Sequence, residues 1–125
     1  MLVQKQAGFQ MNIKRGDTIL VDFNPAMGSE QGKTRPAVVV QNNIGNQYSS
    51  TTIVVPITSR IREKAYPTDV FIKAEDTGLQ RDGTINCSQI ATVSIEHRVI
   101  KKIGAIKPST MRKVDEALKT SLALE

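Results

Sequence analysis

The sequence predicts a mainly β fold, a small and strongly curved β-barrel that ends in one C-terminal α-helix. Short runs of β-branched residues, separated by Gly, Asn, Pro and Ser, are typical of strands and turns. Aromatic residues make up only 4% of the chain and Trp is absent, so Val, Ile and Leu must form most of the core. A length of 125 residues suits one domain.

The first two expected strands flank a long loop. Residues 16–23 alternate between apolar and polar side chains, which predicts a half-buried strand. Residues 24–36 contain two Gly and two Pro and are expected to form a loop. Loops of this length inside a compact domain are usually functional or disordered. A second strand is expected over residues 37–41.

The rest of the chain is expected to contain four more strands and a helix. A turn rich in Asn, Gly and Ser precedes them over residues 42–50. The helix is expected from Pro108 onward, with Ser109 as its cap and apolar residues at helical spacing. The strands are expected at residues 51–58, 68–73, 84–93 and 99–106.

We expect residues 14–125 to form the single domain and residues 1–13 to form a flexible extension. The first ten residues lack the layout of a secretory signal, and no stretch is long and apolar enough to span a bilayer. Cys87 is the only cysteine, which excludes an intramolecular disulfide framework and a Cys-rich zinc site. These features favour the cytoplasm.

Basic residues outnumber acidic residues. The chain has 17 Lys and Arg against 12 Asp and Glu, a formal net charge of +5. Small basic domains often bind phosphates, because Lys and Arg displace the counterions condensed on nucleic acids. The same excess can serve solubility alone, so the charge leaves both interpretations open.

Arg35 is the first candidate for chemistry. A residue before proline is pushed out of the helical region, so Arg35, which precedes Pro36, is expected to be extended. Its planar guanidinium has five donors that suit the oxygens of a phosphate. Gly28 and Gly32 would let the preceding backbone approach a ligand closely. The alternative is a surface loop whose arginine pairs with Glu30 or points at water.

Thr58 and Gln89 are the other candidates. Thr58 ends a strand, where its hydroxyl can reach a substrate, but a threonine that merely precedes a basic turn gives the same pattern. Pro56 lacks an N–H, which indicates an edge or a bulge. Gln89 would interrupt the apolar face of the strand at 84–93. A buried amide needs partners, which could be a base edge or the protein's own backbone.

The remaining reactive side chains are weak candidates. His97 has no acid placed beside it in the sequence, and we expect a structural or exposed histidine. Cys87 is expected to be a small core residue. The acidic residues show no metal-loop spacing, and the chain has no phosphate-cradling or dinucleotide motif. We therefore expect no metal and no cofactor.

Several short motifs together resemble the MazF/PemK family of toxin endoribonucleases, in particular the Gram-positive type. They follow one another in the family's order, from about Lys14 to the C-terminus. The motifs are Lys14-Arg-Gly-Asp17, Gly28-Ser-Glu-Gln-Gly-Lys-Thr-Arg-Pro36, Val38-Val-Val-Gln-Asn42, Pro56-Ile-Thr58, Gln89-Ile-Ala-Thr-Val93 and Lys113-Val-Asp-Glu-Ala-Leu118.

The resemblance implies an SH3-like barrel of the CcdB/MazF type that works as a homodimer. It also implies sequence-specific cleavage of single-stranded mRNA without a metal. Arg35 and Thr58 fall on the family's catalytic positions. The implied protein partner is an antitoxin whose acidic, disordered tail occupies the same basic groove. The implied substrate-binding residues are Ser29, Glu30, Gln31, Gly32, Ser59, Gln89 and Thr92.

RNA carries its own nucleophile, the 2′-OH, next to each phosphodiester. An enzyme can align that hydroxyl and stabilise the charged phosphorane without a metal. The resemblance implies this route, which ends in a 2′,3′-cyclic phosphate and a 5′-OH. Arg35 would hold the non-bridging oxygens and Thr58 would donate a hydrogen bond. An arginine stays protonated and is a poor general base, and the sequence identifies no better one.

Two other functions remain open at this point. Gyrase-directed poisons of the CcdB type share the implied barrel, and fold does not dictate function. Such a protein would act through a surface of its C-terminal helix and would not need Arg35 and Thr58 together. A catalytically silent RNA-binding module would bind RNA in a salt-dependent way and leave the strand whole.

Overall fold

The computed structural model describes residues 11–25, 27–30, 32–61 and 66–125. This part of the chain is mainly β with a C-terminal helix, as the sequence predicts. A short 3-10 helix, Ala74–Asp76, follows the fourth strand. The strands are β1 (Asp17–Asp22), β2 (Thr34–Val39), β3 (Thr51–Thr58), β4 (Asp69–Ile72), β5 (Gly83–Asn86), β6 (Ala91–Ser94) and β7 (Val99–Ala105). The α-helices are α1 (Asn43–Tyr48), α2 (Ile95–Arg98) and α3 (Pro108–Leu122).

The strands form one antiparallel sheet in the order β4-β5-β3-β2-β1-β7. The central strand is β3, which pairs with β2 on one side and with both β6 and β5 on the other. The β6 ladder ends at Val54 and the β5 ladder begins at Ile57. Pro56 therefore lies in a central strand and not at an edge, in the short gap that neither ladder pairs. A residue without an N–H is tolerated at such a gap.

Each face of the sheet packs against its own apolar cluster. The first cluster lies under α3 and includes Val38, Val55 and Val114. The second lies on the other face and includes Val39 and Val54. Because neighbours along a strand point to opposite faces, two buried faces require continuous apolar runs rather than strict alternation. This explains the unbroken runs of valine in β2 and β3.

Two predicted elements are wrong. Residues 42–50 hold the helix α1 rather than a plain turn, and the Asn42 side chain caps it by accepting from the Gly45 N–H at 2.8 Å. The single strand expected at 84–93 is two strands, β5 and β6, separated by a turn. Both errors arise where polar side chains bond the local backbone, which hydrophobic periodicity does not detect.

The start of β2 and the cap of α3 also differ from the prediction. Strand β2 begins at Thr34, so Arg35 and Pro36 lie in a strand rather than at the end of the loop. Helix α3 begins at Pro108 with Lys107 at the cap position and no side-chain cap, so Ser109 is not the cap. Proline suits the first helical position because the N–H there has no helical partner.

The N-terminal part of the described chain packs against the barrel. Residues 1–10 of the expected extension lie outside the described residues. Ile13, which we assigned to the extension, is only 4% exposed and belongs to the second cluster. The guanidinium of Arg15 contacts a carboxylate oxygen of Asp115 at 2.6 Å and so links this segment to α3. None of the helices in the described ranges is long and apolar enough to cross a membrane.

Candidate functional site

Arg35 and Thr58 are brought together by the register of β2 and β3. The two strands pair Ala37 with Pro56, and Val38 and Val39 with the two residues of β3 that precede it, Val55 and Val54. Continuing this register by two residues places Arg35 opposite Thr58. Directly opposite residues share a face, with Cβ atoms about 5 Å apart. Both residues line one groove with a volume of about 450 Å³, so the two residues that the resemblance implies as catalytic lie in the same groove.

This groove, hereafter the Arg35 groove, is lined by both cationic and apolar side chains. Its cations are Arg35, Arg81 and Lys101, and the carboxylate of Asp82 is the acidic group among the described lining residues. Leucine, isoleucine and proline side chains form its apolar lining, and Thr, Ser and Gln side chains add uncharged polar groups. Such a surface suits a ligand that has both an anionic group and an apolar face.

Arg35 has an unusual environment. The residue is half-buried, and its Nε is buried without a hydrogen-bond partner in the described part of the chain. Glu30, which we considered as its ion-pair partner, instead accepts a hydrogen bond from the Met27 N–H at 2.9 Å. Buried donors are nearly always paired in proteins, and an unpaired donor costs free energy. An anionic ligand that entered the groove could supply the missing acceptor.

Thr58 retains a donor for a ligand. Its Oγ1 accepts a hydrogen bond from the Arg60 N–H at 3.1 Å, which fixes the position of the hydroxyl oxygen. A hydroxyl has one donor in addition to its lone pairs, so the O–H remains available to a group in the groove. Ser59 follows at the end of β3, and it is exposed and lines the same groove.

The other predicted substrate-binding residues lie mainly elsewhere. Glu30, Gln89 and Thr92 line a second cavity of about 230 Å³, together with the charged residues Asp22 and Arg98. Ser29 is exposed, Gly32 is half-buried, and Gln31 lies outside the described residues. The structure therefore divides the predicted residues between the Arg35 groove and this second cavity.

Gln89 does not interrupt the face of a strand. It lies in the turn between β5 and β6, is half-buried, and its amide donates to the Ser29 carbonyl at 3.5 Å. Thr92 is exposed in β6, where it pairs with Ile53. The contact between Gln89 and Ser29 joins the loop after β1 to the turn before β6 beside the second cavity.

The loop between β1 and β2 is closed at its base by two hydrogen bonds. The Phe23 N–H donates to the Lys33 carbonyl at 3.0 Å, and the Lys33 N–H donates to the Asn24 side chain at 2.8 Å. At the tip, Gly28 has φ +58°, a conformation that glycine adopts without steric cost. The loop contributes Glu30 to the second cavity and leads directly into Arg35 of the groove.

The remaining reactive side chains are not placed for catalysis. Burial raises the pKa of the Cys87 thiol to about 12, with a further contribution from the negative charge of Asp69. Cys87 is a fully buried core residue, as predicted. The His97 side chain is 76% exposed, with Nε2 3.8 Å from the Glu96 carboxylate. The described residues contain no group of three or more His, Cys, Asp or Glu placed to hold a metal.

Two cations of the Arg35 groove, Arg81 and Lys101, were not predicted from the sequence. Arg81 lies in the connection between β4 and β5, whose many polar residues are typical of a solvated turn. Lys101 stands next to Lys102 in β7, and nothing in the sequence distinguishes it from an outward-facing lysine. Neither residue has a local sequence signal, because only the path of the connection across the sheet brings them to the groove.

Comparisons of the sequence with known proteins identify the family. The family model for the PemK-like, MazF-like toxin of type II toxin–antitoxin systems matches residues 14–122. Endoribonuclease EndoA of Bacillus subtilis (strain 168) is 46% identical over 114 residues, which cover 91% of this chain and 97% of that protein.

Solved structures agree with this assignment. An endoribonuclease from Mycobacterial species, solved in complex with its cognate antitoxin, is 26% identical with a TM-score of 0.75, over 90% of this chain and 97% of that chain. MazF from Deinococcus radiodurans is 21% identical with a TM-score of 0.78, over 92% of this chain and all of that chain, and shows the shared fold. The resemblance found in the sequence is confirmed: the chain belongs to the PemK/MazF family of toxins of type II toxin–antitoxin systems.

Proposed function

We propose that this protein is an endoribonuclease toxin that cleaves single-stranded mRNA in the cytoplasm at specific sequences and without a metal. The observation that supports the proposal best is the shared lining of one cationic groove by Arg35 and Thr58. The relative named as an endoribonuclease is similar over nearly its whole length, which supports the same activity here.

The proposed reaction is an attack by the 2′-OH of the RNA on its own adjacent phosphodiester. The new bond joins O2′ to phosphorus, and the bond to the 5′-oxygen of the next nucleotide breaks. The products are a 2′,3′-cyclic phosphate and a 5′-OH, so no water is consumed. The protein needs to align the groups and stabilise the charge that builds on the phosphorane.

Arg35 and Thr58 are the proposed catalytic residues. The guanidinium of Arg35 donates to the non-bridging oxygens, and the entering phosphate gives its buried Nε the acceptor that it lacks. Thr58 donates its hydroxyl hydrogen to the same phosphate. Both donors are positioned by adjacent strands, which limits the reorganisation needed during the reaction.

The proposed substrate-binding residues flank this centre. Ser59 extends the Arg35 groove, and Glu30, Gln89 and Thr92 present hydrogen-bonding groups in the second cavity. Ser29 and Gly32 belong to the loop that connects the two regions, and Gln31, which lies outside the described residues, completes the proposed set. We assign base recognition to the second cavity, because amide, hydroxyl and carboxylate groups can read base edges of a single strand.

The proposed partners are a second copy of the chain and a cognate antitoxin. A related endoribonuclease was solved in complex with its antitoxin, which supports an antitoxin here. An acidic, disordered antitoxin tail would inhibit by placing carboxylates where the RNA phosphates bind. The homodimer follows from the family resemblance.

The geometry favours a nuclease over the two alternative functions. A poison that acts through its C-terminal helix has no need of an unpaired arginine and a hydroxyl in one groove. A silent RNA-binding module has no need of two donors on adjacent strands of one groove.

The test is cleavage of a long mixed-sequence RNA in EDTA, with mapping of the new 5′ ends. We expect cut fragments with 5′-OH ends from the parent protein. Arg35→Ala should lower the rate by about a hundredfold or more, the scale of one lost transition-state donor, and Thr58→Ala should act in the same direction. Full activity of either variant would remove that residue from the site, and uncut RNA with the parent protein would favour the gyrase-directed or silent alternative.

A further inference from the structure

The wall of the Arg35 groove opposite β2 is formed by residues 78–83 of the connection between β4 and β5. This connection is fixed to the far edge of the sheet. The Thr77 residue is 1% exposed, and its carbonyl accepts a hydrogen bond from the Thr18 hydroxyl at 3.2 Å. A Cβ placed on Gly104 of β7 would lie 2.9 Å from the same carbonyl, so the connection packs directly on the β7 backbone.

A second hydrogen bond closes the connection on itself. Asp82 accepts from the Ala74 N–H at 2.9 Å through one carboxylate oxygen. With Thr77 held against β1 and β7, the residues between these two anchor points have a defined path along the groove. Arg81 is therefore presented to the groove by an anchored segment.

Lys101 reaches the groove from β7. Leu20 of β1 pairs with Lys101 on one side and with Pro36 on the other. Adjacent strands lie about 4.8 Å apart, so the backbone of Lys101 is about 10 Å from that of Pro36. Lys101 and Pro36 therefore lie about two strand spacings apart in the lining of the groove, with Leu20 between them.

Neither Arg81 nor Lys101 has a partner within the described ranges. Both residues are exposed and line the groove, and no described side chain forms an ion pair or hydrogen bond with either. By contrast, Lys102, the next residue of β7, pairs with Asp17 at 3.1 Å. Two unpaired cations in a groove that also contains Arg35 repel one another, and bound anions would relieve this repulsion.

Apolar side chains also line the groove near these cations. Leu79 and Ile103 are half-buried and line the groove beside Arg81 and Lys101. The volume of about 450 Å³ lies in the range of roughly 300–1,000 Å³ that is typical of small-molecule sites. A groove with both apolar and cationic side chains matches a nucleotide, which has flat base faces and an anionic phosphate.

We infer that Arg81 and Lys101 form a second phosphate-binding subsite in the Arg35 groove. The subsite holds the phosphate of the nucleotide next to the cleaved linkage, with the sugar and base of that nucleotide over Leu79 and Ile103. Arg81 and Lys101 are positioning residues, since they do not touch the reacting phosphate. The inference rests on the proposed function, because it assigns the substrate as RNA.

The first test measures binding without cleavage. A random-sequence RNA with 2′-O-methyl groups at every position keeps all phosphates and lacks the nucleophile. Its affinity is measured by fluorescence anisotropy at a series of salt concentrations. For single strands the logarithm of the association constant falls with the logarithm of salt with a slope of about −0.7 per neutralised phosphate.

We expect Arg81→Gln and Lys101→Gln together to make this slope shallower by about 0.7 for each phosphate that the variant no longer neutralises. The matched controls are Arg112→Gln and Lys113→Gln, which remove the same charges from the exposed surface of α3, away from the groove. An equal slope for the groove variants and the controls would overturn the inference.

The second test measures cleavage of unmodified RNA. Removing an interaction that substrate and transition state share raises KM and leaves kcat unchanged. We expect each groove variant to raise KM about fivefold, the factor for one exposed charge pair, with kcat nearly constant. A fall in kcat at constant KM would instead place these residues at the reacting phosphate and overturn the assignment.

The two tests separate this inference from the proposed function. A parent protein that fails to cleave RNA, yet shows the change of slope with 2′-O-methyl RNA, would contradict the nuclease and support the subsite. Normal cleavage with an unchanged slope and an unchanged KM in the groove variants would support the nuclease and contradict the subsite.

A poly-glutamate peptide is the third probe. Groove variants that lose affinity for this peptide but not for RNA would show that the cations serve an acidic protein, which overturns the inference.

Discussion

Replacing Arg35 with methionine should stabilise the protein while it removes the activity. The Nε of Arg35 is buried without a partner in the described structure, and a buried donor left unpaired costs about 1–3 kcal/mol. Methionine keeps most of the aliphatic stem and buries no donor, so little packing is lost. We expect the free energy of unfolding to rise by about 1 kcal/mol in the absence of RNA.

The expected shift is large enough to measure. Unfolding entropy is about 2.1 cal/mol/K per residue, so 1 kcal/mol moves the melting temperature of a chain this long by about 4 °C. In urea, with an m-value of about 2 kcal/mol/M, the midpoint should rise by about 0.5 M with m unchanged. The protein concentration must be constant, because the stability of an oligomer depends on it.

Two outcomes decide the interpretation. The control Arg112→Met lies on the exposed surface of α3 and should change stability by less than about 0.5 kcal/mol. An Arg35→Met variant that is less stable than its parent by about 1 kcal/mol would show that the guanidinium is satisfied in the free protein. Arg35 would then have no unpaired donor for an anion to satisfy, whatever effect the variant has on cleavage.

Two further predictions concern Cys87 and the second cavity. The pKa of Cys87 is raised from 9.0 to about 12 in the folded protein, so above pH 9 the unfolded chain loses this proton first and stability falls as the pH rises toward 12. Urea unfolding at about pH 8 and about pH 10 should show a smaller loss for Cys87→Ala than for the parent, and equal losses would contradict the raised pKa. Gln89→Ala should change the set of cleaved sequences, mapped from 5′ ends, more than the total rate, because Gln89 lines the cavity assigned to bases. An unchanged set of sites with a lower rate at all of them would contradict that assignment.

Strands with strong apolar patterns could be predicted from the sequence. The bounds of β3 match the prediction, since its run of Val and Ile between polar residues has no competing signal. Helix α1 could not be predicted, because a buried polar residue holds it in place. Asn46 is 2% exposed, and its side-chain oxygen accepts from the Thr52 hydroxyl at 2.7 Å and from the Gln41 amide at 3.0 Å. Such a network satisfies buried groups but leaves no periodic pattern.

The site was predictable only in part, for a different reason. Arg35 and Thr58 were weak candidates on local pattern, and the family resemblance connected them. What joins them physically is the register of two strands, a non-local property that neither segment contains alone. Predicting the position of Arg81 would have required a further non-local contact. Thr77 packs beside Gly104, and this contact places the connection between β4 and β5 along the groove.

The charges of the two cavities give a physical reason for dividing the site. The described lining of the Arg35 groove has three cations and one carboxylate, whereas the second cavity has Asp22 and Glu30 against Arg98. A phosphate is repelled by two carboxylates and attracted by three cations, so the backbone of a bound strand should follow the groove. A neutral base edge can donate to those carboxylates, and a base that turns away from the backbone can reach them. The loop that ends at Lys33 borders both regions, so under the proposed function its position would couple recognition of a base to placement of the phosphate that is cut.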